Sequence, residues 1–318
     1  IAQCLVGSEM CIRDRYMAAL LTSVLESSTK VAEYIAECRE LGIKLLPPDV
    51  NESDANFTVA GENIRFGLVA IKGIGWGAIE ELVAERHENG LFTSFEDFCK
   101  RMSGKELNRR AVENLIRAGA FDGMGYKRKA LLQIAGAVID SISQAVRDNI
   151  AGQYDLFGDF EAQSETSPQT IPIPDVEEFS ARDKMMMEKE VTGLYLTGHP
   201  MDEYRDAVRK VGAVPIGAIL GDFAADDGPQ RFSDNQYVTV AGVISSMRTR
   251  TTRNNSLMSY VQLEDDTGTM EMIAFQKVID TCGSLLRENN AVIVRGRISV
   301  RDEKEPCLLY TSPSPRDT

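Results

Sequence analysis

Five residues, Ile71-Lys72-Gly73-Ile74-Gly75, join two apolar-periodic stretches through two glycines set one residue apart. That spacing lets a turn close tightly and brings backbone N–H groups to the start of the next helix, near Trp76, where the helix dipole favours an anion. Lys72, Gly73, Ile74 and Gly75 are therefore candidate contacts to a nucleic-acid phosphate, with Ile74 plugging the turn into the core. The arrangement is a helix-hairpin-helix signature. A G-x-G turn alone serves equally as a joint between packed helices, so the surrounding charge has to decide.

Residues 100–130 hold nine basic residues against three acidic ones, a local charge of +6 in a chain of formal net charge −13. Leu107-Asn108-Arg109-Arg110 opens a further helix that closes at Ala118-Gly119-Ala120-Phe121, the second half of a tandem hairpin. Arg109, Arg110, Arg117, Lys127, Arg128 and Lys129 thus join the candidate DNA contacts, against the alternative of a solvated basic face. A different chemistry is offered by Gly152-Gln153-Tyr154-Asp155-Leu156-Phe157-Gly158. Leu156 and Phe157 are bulky anchors for a preformed apolar pocket, Gln153 can hydrogen-bond at its rim, and Asp155 lies within the same contact. An ordinary apolar pair at a helix end is the competing reading.

The elements that must carry these residues follow from periodicity. Leu20, Leu21, Val24, Leu25, Val31, Ile35 and Leu41 give a helical pair, and Pro47-Pro48 forces an extended segment that leads to a short hairpin from Phe57 to Phe66 around Gly61. Short helices with glycine punctuation fill 67–130, and Leu131, Leu132, Ile134, Val138, Ile139 and Ile142 predict a helix over 131–151. Residues 159–183, rich in acidic residues, Ser, Thr and Pro, cannot bury a core and read as a linker. One or two helices occupy the connector 184–235. From Gln236 the pattern turns to β: strands through 236–301, with a helix near Val278–Leu286, follow the order of an OB barrel. Arg248, Arg250 and Arg253 crowd its first hairpin, Arg295, Arg297 and Arg301 recur on a later strand, and only Tyr260 and Phe275 offer stacking surface, so affinity for a single strand should be modest. The expected fold class is α+β multidomain: a mostly helical N-terminal part with a tandem helix-hairpin-helix, then a small OB-type β-barrel.

Composition excludes several classes. With 318 residues and 43% hydrophobic content the chain can bury real cores, yet its charge argues against coating nucleic acid by bulk attraction. No apolar run approaches the roughly 20 residues needed to cross a bilayer, and no signal-peptide pattern is present, so no membrane contact is expected and the default compartment is the cytoplasm. Six scattered cysteines suggest neither disulfides nor zinc. His87 and His199 lie far apart; His199, beside Gly and Pro, reads as a capping group. Asp265-Asp266 reads as a turn between strands, so the chain is assigned no metal and no catalytic residue.

AIKGIGWGAIEEL (70–82), LNRRAVENLIRAGAFD (107–122) and GLYLTGHP (193–200) closely resemble the alpha-subunit family of bacterial DNA polymerase III, the C-family replicative polymerases. The resemblance covers 16–306. It implies the end of a fingers domain over 16–60, a duplex-binding helix-hairpin-helix module over 61–151, a sliding-clamp-binding peptide at 152–158, the acidic linker, the connector, and a truncated OB domain over 236–306. It also implies a parent DNA-directed DNA polymerase that uses Mg2+ and extends primers 5′ to 3′ with dNTPs. The expected partners are template-primer duplex, single-stranded template held weakly, the beta sliding clamp and other holoenzyme subunits. The family's metal-binding aspartates lie upstream of this stretch, so the segment itself should bind and not catalyse. Gly77 departs from the pattern, since many DNA-binding hairpins carry a basic residue there. Alternatives are a free-standing DNA-binding or clamp-interacting accessory protein, or part of a ligase or nuclease with the same two modules. Residues 1–15 and 307–318 lack the neighbouring periods, resemble translated sequencing-adapter sequence, and are expected to be non-native.

Overall fold

The helical period that begins at Tyr16 belongs to a longer helix, α1 (Ala2–Ser23), which inserts Met17, Ala18 and Leu21 into the first core. The structure, a computed structural model, describes residues 2–24, 30, 31, 34, 35, 37, 38, 41–154, 171–225, 228–252, 255–300 and 305–310, with the side chains of 2–12 and 148–154 left aside. The chain divides into two units, Ile1–Thr197 and Gly198–Thr318. The boundary falls inside the stretch read from sequence as one connector.

In the first unit, β1 (Leu45–Leu46), β2 (Thr58–Ala60) and β3 (Asn63–Arg65) form a small sheet in the order β1-β3-β2, and β2-β3 is the hairpin expected around Gly61. Helices follow: α2 (Trp76–Asn89), α3 (Phe95–Arg101), α4 (Arg109–Ala118), α5 (Arg128–Tyr154) and α6 (Ala181–Thr192). Local chemistry sets their ends. Ser94, Asn108 and Ser180 each accept a first-turn N–H with their side chains, and Gly119 closes α4 in the left-handed conformation at φ 84°. The core is aromatic at its centre, where Phe121 meets Phe95 and Phe98 edge-to-face at centroid distances of 5.2 and 5.0 Å.

A buried cation ties this unit together. Arg128, only 1% exposed, donates to Asp122 (2.7 Å), to the Arg117 carbonyl (3.1 Å) and to the fully buried Glu188 (2.9 Å). The second oxygen of Glu188 accepts the N–H groups of Leu196 and Thr197 at 3.1 and 3.0 Å. The start of α5, the turn before it, α6 and the GLYLT stretch therefore share one polar network.

The second unit opens on a 3-10 turn, Pro200–Tyr204, capped as expected by His199: its Nδ1 accepts the Met201 N–H, and Asp202 accepts the His199 N–H. Helices α7 (Arg205–Lys210) and α8 (Ile216–Ala224) lead to strands β4 (Tyr237–Thr251), β5 (Leu257–Glu264) and β6 (Thr269–Phe275), helix α9 (Gln276–Cys282), and strands β7 (Ala291–Ser299) and β8 (Cys307–Tyr310). They close a barrel in the order β4-β5-β6-β8-β7, antiparallel except for the parallel β6-β8 pair. This is OB topology with its helix between the third and fourth strands.

Both chain ends differ in secondary structure from the sequence expectation. α1 runs through Tyr16 without a break, and the strand pattern expected to stop at Pro306 resumes as β8, with Leu308 fully buried. Leu308, Leu309 and Tyr310 are apolar without alternation, which suits a short strand covered on both faces.

Removing Glu188 strips one of the two carboxylates from a cation that solvent cannot reach. Glu188→Ala should cost the first unit about 3 kcal/mol or more, read in urea unfolding from the fluorescence of Trp76, the single tryptophan. A midpoint equal to that of the unaltered chain would refute the structural role of the network.

Candidate nucleic-acid interface

Four of the expected DNA contacts meet at one turn. Gly73 adopts φ +77°, a conformation that L side chains rarely take, and a Cβ there would lie 2.9 Å from Asn114 Nδ2. Lys72 is fixed at its main chain from two sides: its N–H donates to the Val191 carbonyl at 2.8 Å, and its carbonyl accepts from Asn114 Nδ2 at 2.7 Å. Its Nζ donates to the Glu190 carbonyl at 3.3 Å. Ile74 is half-buried against the core, as the plugging role requires. Gly75 is the N-cap of α2 and provides no side-chain cap.

That last point sets α2 apart from α3 to α6 of the first unit. The N-terminal amides of α3, α4 and α6 are satisfied by Ser94, Asn108 and Ser180, and those of α5 by Glu178, whose carboxylate accepts from Arg128 N (2.8 Å) and Lys129 N (3.2 Å). No side chain accepts from the first turn of α2 among the described residues, so its positive end faces outward behind an exposed glycine turn. Trp76, its first residue, is 49% exposed. Gly77 leaves room for a neighbour: a Cβ there would come within 2.5 Å of Glu106 Oε2. A carboxylate thus lies where many hairpins carry a basic side chain.

The basic cluster counted in the sequence is largely neutralised by carboxylates. Lys100 pairs with Glu96 at 2.9 Å, and Arg101 and Lys105 both reach Glu85, at 3.0 and 2.5 Å. The hydrogen bonds from Lys105 and then Arg101 hold the Glu85 carboxyl down at about 2. Glu113 takes Arg109 at 3.0 Å and Arg117 at 3.8 Å, and the Arg109 guanidinium also lies against Gly136 of α5, 2.6 Å from where a Cβ would stand. Lys127 pairs with Asp175 at 2.7 Å, which raises the lysine pKa and lowers that of the aspartate, and Lys129 lies over the Phe179 ring. The expectation for Arg128 fails. Its guanidinium is buried, and although burial works against its charge, the carboxylates of Asp122 and Glu188 outweigh that effect, so it cannot reach a phosphate. Arg110 is placed differently. Like Lys129, it has no carboxylate ion pair among the described residues, but its Nε lies 4.0 Å from the position of a Cβ on Gly73, beside the turn.

On the barrel, pairing register builds a second surface. Arg248 lies opposite Tyr260, Tyr260 opposite Ile273, Ile273 opposite Leu309, Leu309 opposite Arg297, and Arg297 opposite Tyr237. Directly paired residues share a face, so two arginines and two tyrosines flank the buried Ile273 and Leu309. Arg250, Met258 and Phe275 form the adjoining row. Arg253 lies outside the described residues, as do Asp155, Leu156 and Phe157 of the expected clamp peptide; Gln153 falls in the last turn of α5. Asp265 accepts from Thr267 and Gly268 N–H groups and caps α8 through Ile216 N at 2.8 Å, the turn role expected for it. No group of three or more His, Cys, Asp or Glu side chains suited to a metal occurs among the described residues, so nothing described fits a Mg2+ site. Burial pushes the Cys38 and Cys99 thiols up to about 11 and about 12. No helix among the described residues is long and apolar enough to cross a membrane.

Known families match both units. A model described as a helix-hairpin-helix motif matches residues 42–131, and one described as an OB-fold nucleic acid binding domain matches 238–311. Over 291 residues, 91% of its length, the chain is 35% identical to DNA polymerase III subunit alpha of Mycobacterium tuberculosis, covering 24% of that protein. The same-named subunit of Pseudomonas aeruginosa is 35% identical over 90% of the chain and 25% of its own length, and that of Deinococcus radiodurans 33% identical over 91% and 21%. The chain is a relative of the DNA polymerase III alpha subunits. It spans about a quarter of the length of the curated relatives it matches. Among solved structures, the SSB domain of a Synechococcus protein is 19% identical, covers 26% of the chain and 96% of that domain, and gives a TM-score of 0.22, too low to carry weight.

Sequence reasoning missed Asn114, Glu178 and Glu106. Asn114 had a signal: a polar residue inside the apolar face Ala111-Val112-Leu115-Ile116-Ala118, 5% exposed. Glu178 had none, because its amide partners lie about fifty positions away. The positive φ of Gly73 makes its own test: Gly73→Ala should lower stability by about 1–2 kcal/mol, measured by thermal unfolding, whereas an unchanged midpoint would mean the turn accepts another conformation.

Proposed function

We propose that this chain is the part of an alpha-type replicative polymerase that holds template-primer duplex through the first hairpin and guides single-stranded template across the barrel. The observation that carries the reading is the α2 start: unfilled backbone amides behind a glycine turn, with Arg110 alongside. A backbone phosphate supplies the missing acceptor, and contacts of this kind position a duplex without reading its sequence. Lys72, Gly73, Ile74 and Gly75 form the seat, Arg110 adds the charge, and Arg109 and Arg117 contribute by holding Glu113 and α4 in place. The Arg248–Tyr260 and Arg297–Tyr237 pairs suit a single strand by charge and stacking, with modest affinity because Ile273 and Leu309 between them are buried.

In the longer enzyme, the polymerase chemistry with Mg2+ and dNTPs belongs to parts outside this stretch, and the working compartment is the cytoplasm. Gln153, Asp155, Leu156 and Phe157 are proposed to bind the beta sliding clamp, on the strength of their sequence pattern, within a holoenzyme of further subunits.

The two arginines of α4 separate this reading from a solvated basic face. Arg110→Ala should weaken duplex binding several-fold and reduce the slope of log affinity against log salt by about 0.9, one phosphate contact, while Arg109→Ala, already paired with Glu113, changes the slope little. Equal effects from both would return the cluster to a diffuse basic surface. For the clamp, the double substitution Leu156→Ala with Phe157→Ala should abolish binding to a purified bacterial sliding clamp in surface plasmon resonance; retained affinity would remove the peptide from consideration.

A further inference from the structure

Asn114 lies on α4, yet both ends of its amide are committed to the glycine turn and its cations. Nδ2 donates to the Lys72 carbonyl at 2.7 Å, and Oδ1 accepts from Arg117 Nη1 at 3.1 Å. These partners fix which end of the amide is which, because a carbonyl only accepts and a guanidinium only donates. The side chain is 5% exposed, so water does not compete for these bonds.

The geometry of a trans peptide carries the argument further. Its C=O and N–H point in opposite directions within one plane. Holding the Lys72 carbonyl inward on Asn114 therefore aims the Gly73 N–H outward, where no acceptor meets it among the described residues. The Lys72 N–H is anchored on Val191, so the plane cannot be reset by a shift of the residue before it. The absence of a Cβ on Gly73 is what lets Nδ2 approach: a methyl group would stand 2.9 Å away. One side chain thus sets the direction of one outward amide beside Arg110.

We propose that Asn114 is a positioning residue for duplex binding, acting by fixing the Lys72–Gly73 peptide so that the Gly73 N–H faces a backbone phosphate. The proposal rests on the reading that this hairpin holds duplex DNA. It is tested on the full chain with a fluorescently labelled primer-template duplex, by anisotropy across a series of salt concentrations and well below the melting transition. Asn114→Leu keeps the approximate volume and removes the donor; Asn114→Ala serves if the leucine variant does not fold. Either should bind about tenfold more weakly, as expected for one lost hydrogen bond to a charged group, with the salt slope unchanged, because a neutral amide releases no counterion, in contrast to Arg110→Ala. Asn114→Gln, which retains the amide, should recover part of the affinity. Val138→Ala, a core truncation in α5 remote from the turn, controls for stability and should leave affinity and slope unchanged. Equal weakening by Val138→Ala, or wild-type affinity in the folded Asn114 variants, overturns the positioning role. If Arg110→Ala alone weakens binding, the duplex reading stands without Asn114; if neither Arg110→Ala nor the Asn114 variants weaken it, both fall.

Discussion

Arg128 is the residue on which the first unit turns, because an unpaired guanidinium in its position would be intolerable. Taking a cation out of water costs several kcal/mol, recovered only when its donors meet well-placed acceptors. Asp122, the Arg117 carbonyl and Glu188 supply them from three separate elements. Those elements are thereby obliged to converge. Glu188 extends the obligation to Leu196 and Thr197, so the stretch that follows α6 is bound to the same point. The consequence reaches the hairpin: Val191, three residues beyond Glu188 on the same helix, accepts the Lys72 N–H. The turn proposed to face DNA is thus held through α6 by an ion pair that no DNA could touch.

A chain of net charge −13 gains little from long-range attraction to a polyanion, since charges beyond about 8 Å are screened at physiological salt. Local geometry has to provide what bulk charge does not. The structure uses most of the basic residues of 100–130 internally, drawing Glu85, Glu96, Glu113 and Asp175 onto them. What remains at the hairpin is a set of backbone amides and Arg110. Amide dipoles do not depend on net charge, and at a helix start they are already oriented, so no side-chain entropy is lost in aiming them. Glu106 beside Gly77 adds a negative charge at the same turn, so the proposed hold on duplex is weaker than a basic residue there would give.

Much of this was legible from residue order. The G-x-G turn, the hairpin around Gly61, the capping role of His199 and the β-branched strands from Tyr237 onward depend on local chemistry, and local chemistry is written contiguously. What escaped depends on distance along the chain. Lys127, Arg128 and Lys129 look alike in sequence, but Glu188, sixty positions on, buries the middle one, while Asp175 and Phe179 engage its neighbours. Arg109 and Arg110 differ because successive helical residues point about 100° apart, which sends one to Glu113 and Gly136 and the other to Gly73. Counting charge within a window cannot see carboxylates that fold in from outside it.

The barrel shows the same limit from the other side. Its strands were readable one at a time, whereas the row Arg248–Tyr260–Ile273–Leu309–Arg297–Tyr237 exists only once the register and the parallel β6-β8 pairing are set. A one-residue slip in any strand would send its member of the row to the opposite face. The row places an arginine beside a tyrosine at each end, so a base stacked on either ring has a cation within reach of its phosphate. Between them, Ile273 and Leu309 are buried, 2% and 8% exposed, and offer neither a stacking face nor a charge. Two separated contact points with a buried stretch between them suit the proposed loose, sequence-independent hold on a single strand.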